Sequence, residues 1–91
     1  MMETDSLNRT LRVLVIETDG YFDAQCLEYN IGVSASSIEE LKRRFEDVVY
    51  LEQSEPGFLQ LEAAPEHFHD LWNQARVIES SSADRELRLA A

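Results

Sequence analysis

The clearest signal along the chain is a change in hydrophobic period. Residues 11–17 read LRVLVIE, aliphatic at every position except Arg12 and Glu17. In an extended chain Leu11, Val13 and Val15 share one face, and Leu14 and Ile16 share the other. The run therefore predicts a strand covered on both sides. ETDGY follows, and Asp19-Gly20 predicts a tight hairpin because Gly20 accepts the positive φ of a two-residue loop without steric cost. In YFDAQCLE the pattern alternates, with Phe22, Ala24 and Cys26 on one face and Tyr21, Asp23 and Gln25 on the other. That is the signature of a half-buried antiparallel strand, and it makes Cys26 a small core hydrophobe. Residues 27–30 turn the chain, and IGVSA at 31–35 predicts a third, short strand.

The period then lengthens to that of a helix. Ser37 is placed as an N-cap, with Glu40 three residues later completing a capping box. Ile38, Leu41, Phe45, Val48 and Val49 form one apolar stripe over a helix predicted at 38–53. Glu39 with Arg43 and Glu40 with Arg44 support it as i,i+4 pairs. Glu55-Pro56-Gly57 stops it, since proline cannot continue a helix and disfavours the α region before itself. FLQLEA at 58–63 predicts a fourth strand or an extended arm, with Leu59 and Leu61 alternating. Pro65 at a first helical position and Glu66 in the first turn open a second helix at 65–76. Phe68, Leu71, Trp72 and Ala75 make its apolar face. The closing SSSADRELRLAA, serine-rich and of mixed charge, reads as a mobile tail with a frayed helical turn.

The predicted organisation is a flexible N-terminus (1–10), a single domain (11–78) and a mobile tail (79–91). The fold class is α+β: a three- to four-stranded, mainly antiparallel sheet in the order βββα(β)α. One helix packs across the sheet and a second lies C-terminal to it. Gly20, Cys26, Ser37, Glu40 and Pro65 are its structural markers.

Charge narrows the partners. Eighteen acidic residues stand against eight basic ones, a net charge of −10 with a pI near 4.4. Such a surface repels nucleic-acid phosphates and anionic membranes, and it suits a basic protein partner or simple solubility. Cys26 is the single cysteine, so no intramolecular disulfide can form and nothing points to secretion. The polar start MMETDSLNRT is unlike a signal peptide, and no apolar run approaches the roughly 20 residues of a membrane helix. A cytoplasmic location is expected.

Candidate chemistry is sparse. Asp19, Asp23 and Glu28 are the carboxylates near the hairpin, but a turn residue, a polar-face residue and a strand-end residue do not make the convergent oxygens a divalent cation needs. His67 and His69 are two apart, about 200° around a helix, and cannot chelate as an i,i+4 pair would. Cys26 has no neighbouring histidine in sequence and reads as a core thiol. Lys42-Arg43-Arg44 fans around a helix and reads as a solvated face. Phosphate loops, CxxC and HExxH are absent from the sequence. No catalytic, cofactor or metal site is expected, and the chain is read as a non-enzyme. Tyr21, Tyr29, Phe68 and Trp72 are the candidate partner-interface residues: aromatics at such spacings are ordinarily core, and any left exposed is an interface anchor.

The order βββα with DGYFDAQCLEYNIGVSASSIEEL resembles the HicB-like family of antitoxin-related domains. Gly20-Tyr21, Ala24, Cys26-Leu27-Glu28, Ser37 and Glu39-Glu40-Leu41 carry the likeness, and AAPEHFHDLW (63–72) is similar to the closing segment of short stand-alone members. Two departures stand out: Ser36 occupies a position where many members have glycine, and about fifteen residues after Arg76 are too few for a DNA-binding helix-turn-helix. The resemblance implies an orphan antitoxin relative, a non-catalytic module that binds or neutralises a small basic toxin-like protein, or self-associates, without binding DNA or RNA. Two alternatives stay open: a metal-dependent RNase H-like nuclease acting through Asp19, Asp23 and Glu28, and a purely structural homodimer.

Overall fold

The computed structural model describes residues 10–53, 62–80 and 85–90. Within them the chain runs β1 (Leu11–Thr18), β2 (Tyr21–Cys26), β3 (Gly32–Ala35), α1 (Ile38–Gln53), α2 (Glu66–Gln74), β4 (Arg76–Ser80) and β5 (Arg85–Leu89). The fold is α+β, with one five-stranded mixed sheet ordered β3-β2-β1-β5-β4. β1 pairs antiparallel with β2 and parallel with β5, while β2–β3 and β4–β5 are antiparallel.

β1 behaves as its two-sided apolarity requires. Leu11, Val13 and Val15 join Ala24, Cys26, Leu87 and the α1 residues Leu41, Phe45 and Val49 in one buried cluster. Leu14 faces the other way, into a cluster with Leu27, Ala64 and Trp72 that α2 covers. A strand buried on both faces also needs hydrogen-bond partners along both edges. β2 supplies one edge and β5 the other, so β1 is the middle strand of the sheet.

The hairpin forms as the sequence predicts. Thr18 pairs with Tyr21, and Asp19 and Gly20 take φ of 53° and 83°. Both values are positive, as a two-residue loop matched to the strand twist demands. β2 ends at Cys26, two residues short of the expected run, because Leu27 turns to the α2 side and its N–H donates to the Arg12 carbonyl at 2.9 Å. The turn at 27–30 is tied down by later chain: Asn30 N–H donates to the Glu62 carbonyl at 2.7 Å, and Ala64 N–H to that of Leu27 at 3.0 Å.

α1 spans the predicted 38–53. The Glu40 N–H donates to Ser37 Oγ at 3.2 Å, which makes Ser37 the cap. The Glu40 carboxylate turns to the Ser36 hydroxyl at 3.4 Å and to Arg44 at 2.7 Å, in place of the reciprocal bond that a capping box would place on the Ser37 N–H. Arg44 also donates to the Ser34 carbonyl at 2.9 Å and so ties the helix to β3. Pro65 sits at the N-cap of α2, one position before the helix, and α2 ends at Gln74.

The C-terminal third corrects the sequence reading. Arg76 opens a strand, which displaces the expected helix end, and residues 79–91 are not a mobile tail where they are described: β4 and β5 occupy 76–80 and 85–89. β5 inserts beside β1 with Leu87 5% exposed. The sheet therefore has five strands and mixed direction where three or four mainly antiparallel strands were expected. The order is βββααββ. The fourth strand predicted at 58–63 falls largely outside the described residues, and Glu62–Ala63 are not in a strand.

Arg88 of β5 secures α2. Its guanidinium lies 4.5 Å from the Trp72 ring centroid and donates to the Trp72 carbonyl at 3.1 Å, while Arg12 approaches the same ring at 6.0 Å. A cation over an indole face contributes about 0.5–2 kcal/mol depending on desolvation. The helix is held to the sheet by this contact as well as by apolar burial.

Candidate functional site

The hairpin end of the sheet carries exposed charge on both faces and one exposed aromatic. The two-residue turn projects Glu17, Thr18, Asp19 and Tyr21, and Tyr21 is 61% exposed. The pairing Phe22–Ala35 brings the end of β3, and with it the start of α1, to the same end of the domain. Glu39 is exposed there and Glu40 half-buried. Asp23 lies one step along β2 on the same face as Tyr21 and accepts a hydrogen bond from the Ser34 hydroxyl. Tyr21 and Asp23 thus share one face of the hairpin, whereas Glu17, opposite Phe22, and the α1 carboxylates belong to the helix-covered face.

The four aromatics singled out by sequence do not converge. Tyr29 is 6% exposed in the α1-side cluster, and Trp72 is 4% exposed under Arg88 on the opposite side. Phe68 is partly buried against the α2-side cluster, with the His67 ring 4.0 Å from its own. Tyr21 alone of the four is exposed. The one further signal that could have singled it out is its position directly after a two-residue turn, where a side chain on the uncovered face of a hairpin tip projects into solvent.

The other candidates are dispersed. Asp19 holds the turn, Asp23 engages Ser34, and Glu28 is an ion-pair partner: its carboxylate accepts from Arg12 Nε at 2.6 Å and from the Arg12 backbone N–H at 2.8 Å. Among the described residues no group of three or more His, Cys, Asp or Glu side chains is placed to hold a metal ion. Cys26 is fully buried, and its thiol pKa is raised above the ordinary 9.0, chiefly by burial and secondarily by the nearby Glu28 carboxylate. A thiol in that setting is a poor nucleophile at neutral pH. The Lys42-Arg43-Arg44 run divides its work: Arg43 is exposed, Arg44 ties the helix to β3, and Lys42 borders a pocket under α1.

Among the described residues no helix is long and apolar enough to cross a membrane. No family model matches the chain, and neither a curated protein nor a solved structure does.

Proposed function

We propose that the chain is a non-catalytic protein-binding module that engages a small basic protein through the hairpin end of its sheet, as the HicB-like order of its motifs implies. One observation carries this reading: Tyr21, 61% exposed, projects at the hairpin tip on the same face of β2 as the exposed carboxylate of Asp23. An amphipathic aromatic that costs little side-chain entropy to fix, beside an exposed carboxylate, combines an interface anchor with electrostatic steering. The net charge of −10 extends the same field over the whole surface.

The test is co-expression with small basic proteins encoded beside it, followed by calorimetry of any complex at two salt concentrations. Binding is expected to weaken by about tenfold or more between low and high salt, because screening shortens the reach of surface charge from about 10 Å at 0.1 M to about 3 Å at 1 M. Tyr21→Ala is expected to lower affinity without changing thermal stability, since its ring is largely in solvent already. Failure to recover a partner together with a monomeric state by ultracentrifugation refutes the proposal. A complex unaffected by Tyr21→Ala would move the interface elsewhere.

A further inference from the structure

A pocket of about 130 Å³ lies between α1 and the part of the sheet where β5 joins β1. Val13, Ala24 and Leu87 form its floor, and Leu41 and Phe45 of the helix form its roof. These side chains are at most 5% exposed, so the space is a recess within the core and not a groove on the surface. Interiors packed to crystal density seldom leave so large a void, and its lining forgoes dispersion contacts that an occupant would restore.

The walls decide what that occupant is. None of the lining side chains of floor and roof can donate or accept a hydrogen bond, whereas a buried water needs about two to four polar partners. An apolar cavity of about 150 Å³ in a protein core accordingly stays dry and accepts a benzene-sized molecule. The rim adds no preference for charge. Arg85 is held by Glu46, with Nε and Nη2 donating at 2.7 and 3.0 Å, and Lys42 is engaged by other groups of the chain as well. An ion entering the recess would leave its hydration shell for walls that cannot replace it, with no free countercharge at the mouth.

We propose that the recess binds a small neutral apolar molecule of about benzene size, held between Phe45 and Leu87 by shape and dispersion alone. The site is separate from the hairpin surface. Leu87 pairs with Val13, whereas Tyr21 pairs with Thr18 at the far end of β1.

The experiment is an NMR titration of the full chain with benzene, benzoate and benzylamine, read at the methyl groups of Val13, Leu41 and Leu87. Benzene is expected to give saturable shifts, with Kd in about the millimolar range. Benzoate and benzylamine carry opposite charges on the same ring, and both should bind at least about tenfold more weakly. Benzene should also raise the Tm of the unsubstituted chain, as a ligand of the native state must. Ala24→Val adds two carbons to the floor and should weaken benzene at least about tenfold. The probe comparison needs only the unsubstituted chain, so it decides even where Ala24→Val does not fold. The proposal is overturned if benzene gives no saturable shifts up to its solubility, if either charged probe binds as tightly as benzene, or if folded Ala24→Val binds benzene as the unsubstituted chain does.

Discussion

Replacing Leu87 by alanine tests whether the C-terminal strand belongs to the core. Leu87 is 5% exposed and packs with Val13, Cys26 and Phe45 in the α1-side cluster. Truncating a buried leucine costs about 2–5 kcal/mol, the spread reflecting how far the site collapses or admits water. Leu87 already borders a pocket of about 130 Å³, so the truncation enlarges a space that communicates with solvent and does not seal a new void. The cost should fall in the lower half of the range, about 2–3 kcal/mol. For 91 residues a total stability of about 5–14 kcal/mol is expected, so that is a large fraction. It corresponds to a fall in Tm of roughly 10–20 °C. Trp72, the single tryptophan and 4% exposed, reports unfolding by fluorescence in urea. Leu71→Ala, at a residue 37% exposed, is the control and should cost under about 1 kcal/mol. If Leu87→Ala has the urea midpoint and m-value of the unsubstituted chain, β5 is not part of the core and the sheet described above is wrong.

Three further outcomes follow from individual contacts. Ser37→Ala removes the acceptor of the Glu40 N–H and should cost about 1 kcal/mol in urea unfolding, with Ser37→Asp restoring most of it. Glu28→Ala strips the Arg12 backbone N–H and guanidinium of a carboxylate whose side chain is 8% exposed, so a loss of about 2 kcal/mol is expected, and Glu28→Gln should recover part of it. Cys26 titrates above its ordinary 9.0 in the folded chain because it is buried, so its contribution is complete below pH 9 and is lost as pH rises through the folded value. There the unfolded chain releases the proton first, and stability should fall by up to about 1.4 kcal/mol per pH unit. Cys26→Ala should lack that component of the slope, so equal alkaline slopes for the two proteins would contradict the burial.

Residues 11–53 were legible because each element there announces itself within a few positions. β1 is apolar on both faces, Asp19-Gly20 closes the hairpin, β2 alternates, and Ser37 caps a stripe that reaches Val49. The C-terminal strands hid for a physical reason. β5 reads RELRL, and its charged residues are tolerated in an interior strand through the Glu86–Arg88 pair at 3.0 Å and through partners distant in sequence. Arg85 reaches Glu46, Arg88 reaches Trp72, and Leu87 finds a place beside Val13. A period of two over five residues with two leucines is too short to distinguish a strand from a solvated tail. The aromatics show the complementary limit. Helical spacing made Trp72 an apolar-face residue, but only the fold places it under Arg88 and leaves Tyr21 in the open. Lys42 was legible as a basic helix residue and illegible as part of a pocket rim, since the rim requires Arg85 from a strand the sequence did not reveal.

The insertion of β5 explains why the domain offers two separate surfaces. α1 packs over β3 and β2, the strands that precede it in sequence, and its stripe is satisfied largely by them. β5 enters on the far side of β1, so Leu87 meets the flank of the helix, and the pocket opens along that flank. Its rim ion pair joins α1 to a strand thirty-nine positions later, so the pocket exists only once the chain's last described strand has docked. The hairpin end requires no such closure: β1, β2 and β3 are local in sequence and set Tyr21 and Asp23 by themselves. Leu87 pairs with Val13 and Tyr21 with Thr18, five steps or roughly 17 Å apart along β1, beyond the distance at which substitutions normally couple. Tyr21→Ala and Leu87→Ala should therefore act independently, the first lowering partner binding at unchanged stability and the second lowering stability by the same amount in either background.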